Sequence, residues 1–70
     1  MKYTIRTYHK ADNPRKWQST GKFFPNTPDG LVDAQEYVKM LQGHPGNPGG
    51  LWVSAVFEFH GKRDYRPLED

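Results

Sequence analysis

Three histidines are the residues of this sequence most capable of chemistry, because histidine acts as a general base and is the commonest metal ligand. His9, His44 and His60 stand far apart and lack the short pair spacing that zinc sites usually show. We also expect the first and third strands to run antiparallel, which places His9 and His60 near opposite ends of the sheet. The pattern predicts surface histidines and no metal site.

A second candidate is the pair Glu58 and His60, which lie two residues apart and could act as base and orienting partner. Such a pair needs a nucleophile in a concave pocket, and a 70-residue chain with one helix rarely forms a cleft that excludes water. Asp29 and Asp33 resemble a carboxylate pair, but the dipole of a helix accounts for acidic residues near its start. We therefore predict no enzymatic activity, no catalytic residues and no cofactor.

The segment GHPGNPGG, residues 43–50, raises the question of a phosphate-binding loop. In such loops the glycines follow a strand and open a helix, so that free N–H groups face the phosphates. Here the glycines follow a predicted helix and precede a predicted strand, and no Gly-Lys-Ser/Thr sequence is present. The segment predicts a left-handed helix cap at Gly43 and then an exposed loop, which in compact domains is often functional or mobile.

The first half of the chain predicts a hairpin and a helix. Residues 2–10 alternate as a strand with one buried and one wet side, and turn residues then lead to a weaker strand over 16–24. Residues 28–42 carry apolar side chains at helical spacing, with Thr27 as the N-cap and Pro28 at the first helical position.

The second half adds two strands. Residues 51–60 form the strongest predicted strand, and residues 62–66 a short edge strand, after which the tail 67–70 is expected to fray. The order β-β-α-β-β predicts one α+β domain over residues 1–70. We expect a three- to four-stranded, mostly antiparallel sheet with one helix packed on one face.

One helix covers one face of a sheet, so the other face meets water or a partner. We expect the most apolar row of the third strand to pack against the helix, together with Tyr3, Ile5 and one of Phe23 or Phe24. That row is Val53, Ala55, Phe57 and Phe59. The opposite face would then display Arg6, Tyr8, Trp52, Val56, Glu58 and His60, with some of Lys16, Gln18 and Lys22.

Charge is distributed unevenly along the chain. The net charge is +2, yet residues 1–24 contain six lysines and arginines against one aspartate, whereas the remainder is net acidic. Such asymmetry can mark a face for an anionic partner. There is no cysteine, and no apolar run has the length of a membrane span or the form of a signal peptide. We expect a soluble, cytoplasmic protein without a membrane partner.

A flat surface of aromatic and basic residues suits a protein interface, a platform for single-stranded nucleic acid, or a small sheet that cannot bury all its rings. We predict a non-enzymatic binding protein that acts on a protein partner. A nucleic-acid partner is the alternative, and a homodimer of paired sheets is a further option. The predicted partner contacts are Arg6, Tyr8, Lys16, Trp17 and Trp52.

The stretch FFPNTPDGLVDAQEYVKMLQG, between a basic hairpin and LWVSAVFEF, resembles a layout common in small phage and mobile-element proteins. In that layout a Phe-x-x-Thr-like entry leads into an Ala-x-x-Tyr helix laid across a small sheet, and several anti-CRISPR proteins are similar in size and architecture. The resemblance covers about residues 16–60 and implies a stoichiometric inhibitor of a host nuclease or surveillance complex. The basic first half departs from the acidic, DNA-mimicking members, and no functional residue is carried over.

Overall fold

Four strands and one long helix make up the computed structural model, which describes residues 1–68. The elements are β1 (Lys2–His9), β2 (Gln18–Pro25), α1 (Pro28–Gln42), β3 (Trp52–Phe59) and β4 (Tyr65–Pro67). The strands form one antiparallel sheet in the order β2-β1-β3-β4. The predicted α+β fold with β-β-α-β-β order is therefore confirmed.

The helix α1 begins and ends where its sequence signals predict. The Thr27 hydroxyl accepts a hydrogen bond from the Gly30 N–H at 2.9 Å, as an N-cap does. At the other end the Gly43 N–H bonds the Lys39 carbonyl oxygen at 3.1 Å. Gly43 has φ of −95°, so the predicted left-handed cap is wrong, and the helix ends without positive φ.

The register of the strands determines which side chains share the helix-bearing face. Ile5 pairs with Val56, and Tyr3 pairs with Phe24. The Phe24 ring lies 6.0 Å from that of Tyr37 on α1, so this face carries the helix. Ile5 is fully buried there, and so is Ala34 on α1.

The predicted orientation of β3 is wrong. Tyr8 pairs with Val53, and Arg6 pairs with Ala55, so the apolar row of β3 lies on the face opposite α1. Trp52 pairs with His9 and lies on the helix-bearing face, where it was not expected. Alternation separates the two rows of a strand, but the register with β1 decides which row meets the helix. The same register moves Val56 and Glu58 off the face predicted to be open.

The C-terminal strand begins later than predicted because a turn precedes it. Lys62 and Arg63 have φ of 52° and 80°, and the Asp64 N–H bonds the Gly61 carbonyl oxygen. Pro67 is the last residue of β4. The Leu68 N–H contacts the Val56 carbonyl oxygen at 3.4 Å, so Pro67 and Leu68 both adjoin the sheet. Glu69 and Asp70, the rest of the predicted tail, lie outside the described residues.

The loop after α1 is bonded to the edge of β3. The Asn47 side chain accepts from the Trp52 N–H and donates to the Trp52 carbonyl oxygen, both at 2.9 Å. Gln42 Oε1 accepts from the Ser54 N–H at 2.7 Å. Because β4 is short, these two amides cover edge groups that would otherwise be open to pairing with another chain.

Candidate partner-binding interface

We define the open face as the side of the sheet opposite α1, together with Trp17, which lies over it. The strand register assigns to it one row from each strand. Its members are Lys2, Thr4, Arg6, Tyr8, Trp17, Ser19, Phe23, Pro25, Val53, Ala55, Phe57, Phe59, Tyr65 and Pro67. Six of these side chains carry aromatic rings.

One aromatic cluster is built around Trp17, which immediately precedes β2. Its ring meets Tyr8 edge to face at 4.6 Å between centroids and Phe57 at 4.8 Å. Phe57 is only 5% exposed, although no helix covers it. The hairpin loop therefore supplies a small second core, and edge-to-face pairs of this kind add to the stability gained by burial.

A second aromatic cluster takes one ring each from β2, β3 and β4 and is more open to solvent. Phe59 contacts Phe23 at 5.4 Å and Tyr65 at 5.1 Å between ring centroids. Phe23 remains 42% exposed. An exposed ring beside a packed pair is the kind of group that anchors a protein partner.

Arg6 connects the two clusters. Its guanidinium carbon lies 4.3 Å from the Tyr65 ring centroid and 5.2 Å from that of Phe57. One terminal nitrogen donates to the Trp17 carbonyl oxygen at 3.1 Å, while Nε is buried without a hydrogen-bond partner. The positive charge is thus held by rings and one carbonyl group.

Further cations surround the rings. The guanidinium carbon of Arg15 lies 5.0 Å from the Tyr8 ring centroid, and Lys2 pairs with Phe59 across the sheet. Lys16 is exposed in the loop that carries Trp17. The ion pairs within residues 1–68 all lie outside this surface. They are Lys39 with Glu36, His60 with Glu58, and Arg66 with Asp64.

The structure brings together most of the predicted contact residues but not all. Arg6, Tyr8 and Trp17 form one contiguous group, and Lys16 is adjacent to it in the chain. Trp52 is 38% exposed and meets His9 edge to face at 5.0 Å on the other side of the sheet. Its placement among the open-face contacts is corrected accordingly.

Sequence reasoning missed four rings of the open face. Two of them, Phe57 and Phe59, were expected beneath the helix because they belong to the most apolar row of the chain. Tyr65 and Phe23 could have been found from the alternation of their own strands once the register with β1 and β3 was known. The missing information was therefore the register and not the composition.

A groove of about 890 Å³ extends the open face around the part of the β3 edge that does not pair with β4. Tyr8, Arg15 and Trp17 line one side, Val38 and Lys39 of α1 the other. Since amide side chains cover much of the β3 edge, an added strand has few backbone groups to pair with. Side chains of a partner therefore suit the groove better than a peptide strand does.

The histidines make local contacts. His9 Nδ1 and His44 Nδ1 accept hydrogen bonds from the backbone N–H groups of Ala11 and Gly46. His60 Nε2 lies 3.1 Å from Glu58 Oε1, so the predicted pair does meet, but neither residue lines a cavity described above. Within residues 1–68 no group of three His, Asp or Glu side chains could hold a metal ion.

A search for membrane-crossing helices among the described residues finds none of sufficient length and hydrophobicity. The chain matches no protein-family model, no curated protein and no solved structure. The case for a function therefore rests on the geometry and charge of the open face.

Proposed function

We propose that this protein is a non-enzymatic binding module whose open face attaches to a protein partner with an acidic and apolar surface. The observation that carries the proposal is the pairing of six clustered rings with cations that have no acidic partner within residues 1–68. Arginine, tyrosine and tryptophan are the residue types most enriched among the energetically dominant residues of protein interfaces.

The charge on the open face supports an acidic partner. Arg6, Arg15 and Lys2 take part in none of the ion pairs found within the described part of the chain. Complementary charge steers association and penalises wrong partners. Carboxylates on a partner could pair with these cations, whereas a basic surface would be repelled.

Ring geometry favours a protein over a nucleic acid. A nucleobase stacks on an aromatic face that is free. Arg6 already lies over Tyr65 and Arg15 over Tyr8, while Trp17 and Phe57 meet edge to face. A base would have to displace a guanidinium group before stacking, whereas partner side chains can pack against exposed ring edges such as that of Phe23.

The resemblance to anti-CRISPR proteins adds a more specific form of this proposal. A stoichiometric inhibitor would bind a CRISPR-type host-defence complex through the open face. Titrating the protein against a fixed amount of the host's effector complex should then stop target cleavage near one equivalent. Cleavage that continues at a large molar excess would contradict the inhibitor form and leave the binding proposal to the next test.

Partner capture from the native host is the direct test of the open face. The wild-type protein is immobilised beside Lys2→Glu, which reverses a charge on the open face, and Lys22→Glu, which makes the same change on the helix-bearing face, where Lys22 Nζ lies 5.7 Å from the Tyr37 ring centroid. Like charges across an interface are costly, so we expect capture by Lys2→Glu to fall at least about tenfold while Lys22→Glu captures normally.

Two further conditions complete that test. The capture is repeated after nuclease treatment and over a range of salt concentrations, because phosphate-driven binding falls steeply with salt. Loss of all binding after nuclease treatment would assign a nucleic-acid partner instead. Equal capture by the two charge-reversal variants would remove the open face from the proposal.

A further inference from the structure

We propose that a cavity on the helix-bearing face, where α1 ends above the sheet, binds a neutral saccharide. The cavity has a volume of about 400 Å³. Pockets of about 300–1,000 Å³ are typical of small-molecule sites. It lies on the other side of the sheet from the open face, so this proposal does not rest on the proposed protein partner.

The cavity exists because the sheet extends past the end of the helix. Gln18, Thr7 and Ser54 are paired in register and form a polar row across β2, β1 and β3. Leu41, in the last turn of α1, forms one wall, and the loop after α1 forms another. The bonds of Asn47 to the Trp52 backbone and to the Leu41 carbonyl oxygen hold this loop in place. The site is therefore already formed before a ligand enters.

The hydroxyl groups of the cavity favour a ligand rich in donors. Thr7 donates to the Val53 carbonyl oxygen at 2.9 Å, and Thr20 donates to that of Ile5 at 2.8 Å. Ser54 Oγ lies 3.4 Å from Thr7 Oγ1 and donates to it. With their hydrogens engaged, these oxygens retain lone pairs and act as acceptors toward hydroxyl groups of a ligand.

Donors of the site lie at its rim. His44 Nδ1 accepts from the Gly46 N–H at 2.9 Å, which leaves Nε2–H of the neutral ring free to donate. The exposed Gln18 amide offers both a donor and an acceptor. A sugar hydroxyl donates and accepts at once, so it matches acceptors at the floor and donors at the rim.

Charge and shape restrict the ligand further. Among the described residues, the lining contains no carboxylate, lysine or arginine, and His44 is its one titratable side chain. Enclosing an unpaired charge is costly, so a neutral ligand is favoured. Trp52 is 38% exposed, and its ring packs edge to face against His9. The Trp52 ring provides an apolar wall of the cavity. A pyranose ring combines a C–H face for that wall with a rim of hydroxyl groups.

The test uses Trp52 as the reporter. Trp17→Phe removes the other tryptophan, which lies on the open face, and the protein is titrated with N-acetylglucosamine, maltose and cellobiose. We expect at least one sugar to give a saturable change in Trp52 fluorescence with a dissociation constant of about 1 mM. The same sugar should shift the amide signals of Thr7 and Ser54 in nuclear magnetic resonance spectra.

Two exposed glutamines provide matched variants. Gln18→Ala removes the amide at the cavity rim, and Gln35→Ala removes an exposed amide on α1 outside the cavity. We expect Gln18→Ala to weaken sugar binding at least about threefold, with no change for Gln35→Ala. Lys2→Glu should also leave sugar binding unchanged, which separates this site from the partner-binding proposal.

Three outcomes would overturn the saccharide site. The first is that none of the three sugars gives a saturable fluorescence change at about 100 mM, a hundredfold above the expected dissociation constant. The second is a fluorescence response to uridine and to no sugar. The third is a sugar affinity in Gln18→Ala equal to that of the parent protein. A uridine response would identify a planar base as the better fit to Trp52.

Discussion

The guanidinium carbon of Arg6 lies 4.3 Å from the centroid of the Tyr65 ring. From the same side chain a hydrogen bond of 3.1 Å runs to the Trp17 carbonyl oxygen. One contact reaches the three-residue strand β4 and the other the hairpin loop, so a single side chain on β1 connects two peripheral segments. The planar, weakly hydrated guanidinium group suits both a stacked and a hydrogen-bonded contact, whereas the compact ammonium group of lysine has no planar face to stack on a ring.

Arg6→Lys should therefore destabilise the fold although it conserves charge. We expect the free energy of unfolding to fall by about 1–2 kcal/mol through loss of the stacked contact and the hydrogen bond to Trp17. Arg15→Lys is the matched control, because Arg15 is exposed over Tyr8, and it should cost under about 0.5 kcal/mol. Chemical denaturation measures the free energy of unfolding of both variants. Equal losses in the two variants would show that the contacts of Arg6 with Tyr65 and Trp17 do not contribute to stability.

Gly30→Ala should also destabilise the protein, against the usual preference of helices. In an exposed helix this change would stabilise by about 1 kcal/mol. Here a Cβ at position 30 would overlap the Pro25 carbonyl oxygen at the end of β2. We expect a loss of about 1–3 kcal/mol, as is typical of overpacking.

The matched control for Gly30→Ala is Val32→Ala, which lies two residues further along α1. Val32 is 53% exposed, so its truncation should change stability by less than about 0.5 kcal/mol. Thermal unfolding gives the melting temperatures of Gly30→Ala and Val32→Ala, and we expect only the first to fall clearly below that of the wild type. A higher melting temperature for Gly30→Ala than for the wild type would contradict the close approach of α1 and β2.

Asn47→Ala should loosen the loop after α1 and uncover the edge of β3. The substitution removes two bonds to the Trp52 backbone and one to the Leu41 carbonyl oxygen. We expect a cost of about 1–3 kcal/mol and faster hydrogen exchange at the Trp52 N–H. Asn26→Ala changes an exposed asparagine and should leave exchange at Trp52 unaltered. Unchanged exchange in Asn47→Ala would show that the loop is held by other contacts.

Local patterns of the sequence predict the elements well. The bounds of α1 follow from a capping threonine, a proline at the first position and apolar spacing, all of which act within a few residues. The order of the elements along the chain, β-β-α-β-β, follows from the same kind of signal. These features depend on neighbours in the chain, so one sequence is enough to identify them.

The orientation of β3 could not be predicted in this way. Its two rows are separated by alternation, and the more apolar row was assigned to the helix. In the structure Trp17, 40 residues away in sequence from Phe57, covers that row instead. A contact between distant segments decides which face is buried, and hydrophobicity alone cannot distinguish a helix from an aromatic loop as the cover. The close approach of Gly30 to Pro25 likewise depends on how α1 packs against the end of β2, which the pattern of either element alone does not reveal.

The two tryptophans provide the sharpest check of this corrected orientation. Trp17 covers Phe57, which is 5% exposed, whereas Trp52 is itself 38% exposed and contacts His9 at the end of the sheet. Truncating a ring that covers a core exposes the residues beneath it, so we expect Trp17→Ala to cost about 2–4 kcal/mol and Trp52→Ala about 1 kcal/mol.

Chemical denaturation of Trp17→Ala and Trp52→Ala, monitored by far-ultraviolet circular dichroism because each variant loses a fluorophore, yields both free energies of unfolding. The substitutions are identical in chemistry, so side-chain volume and hydrophobicity cancel from the comparison. A larger loss in the free energy of unfolding for Trp52→Ala than for Trp17→Ala would indicate that the apolar row of β3 faces α1. The aromatic clusters of the open face would then be wrong. The expected order would instead indicate that the hairpin loop, and not α1, protects Phe57 from water.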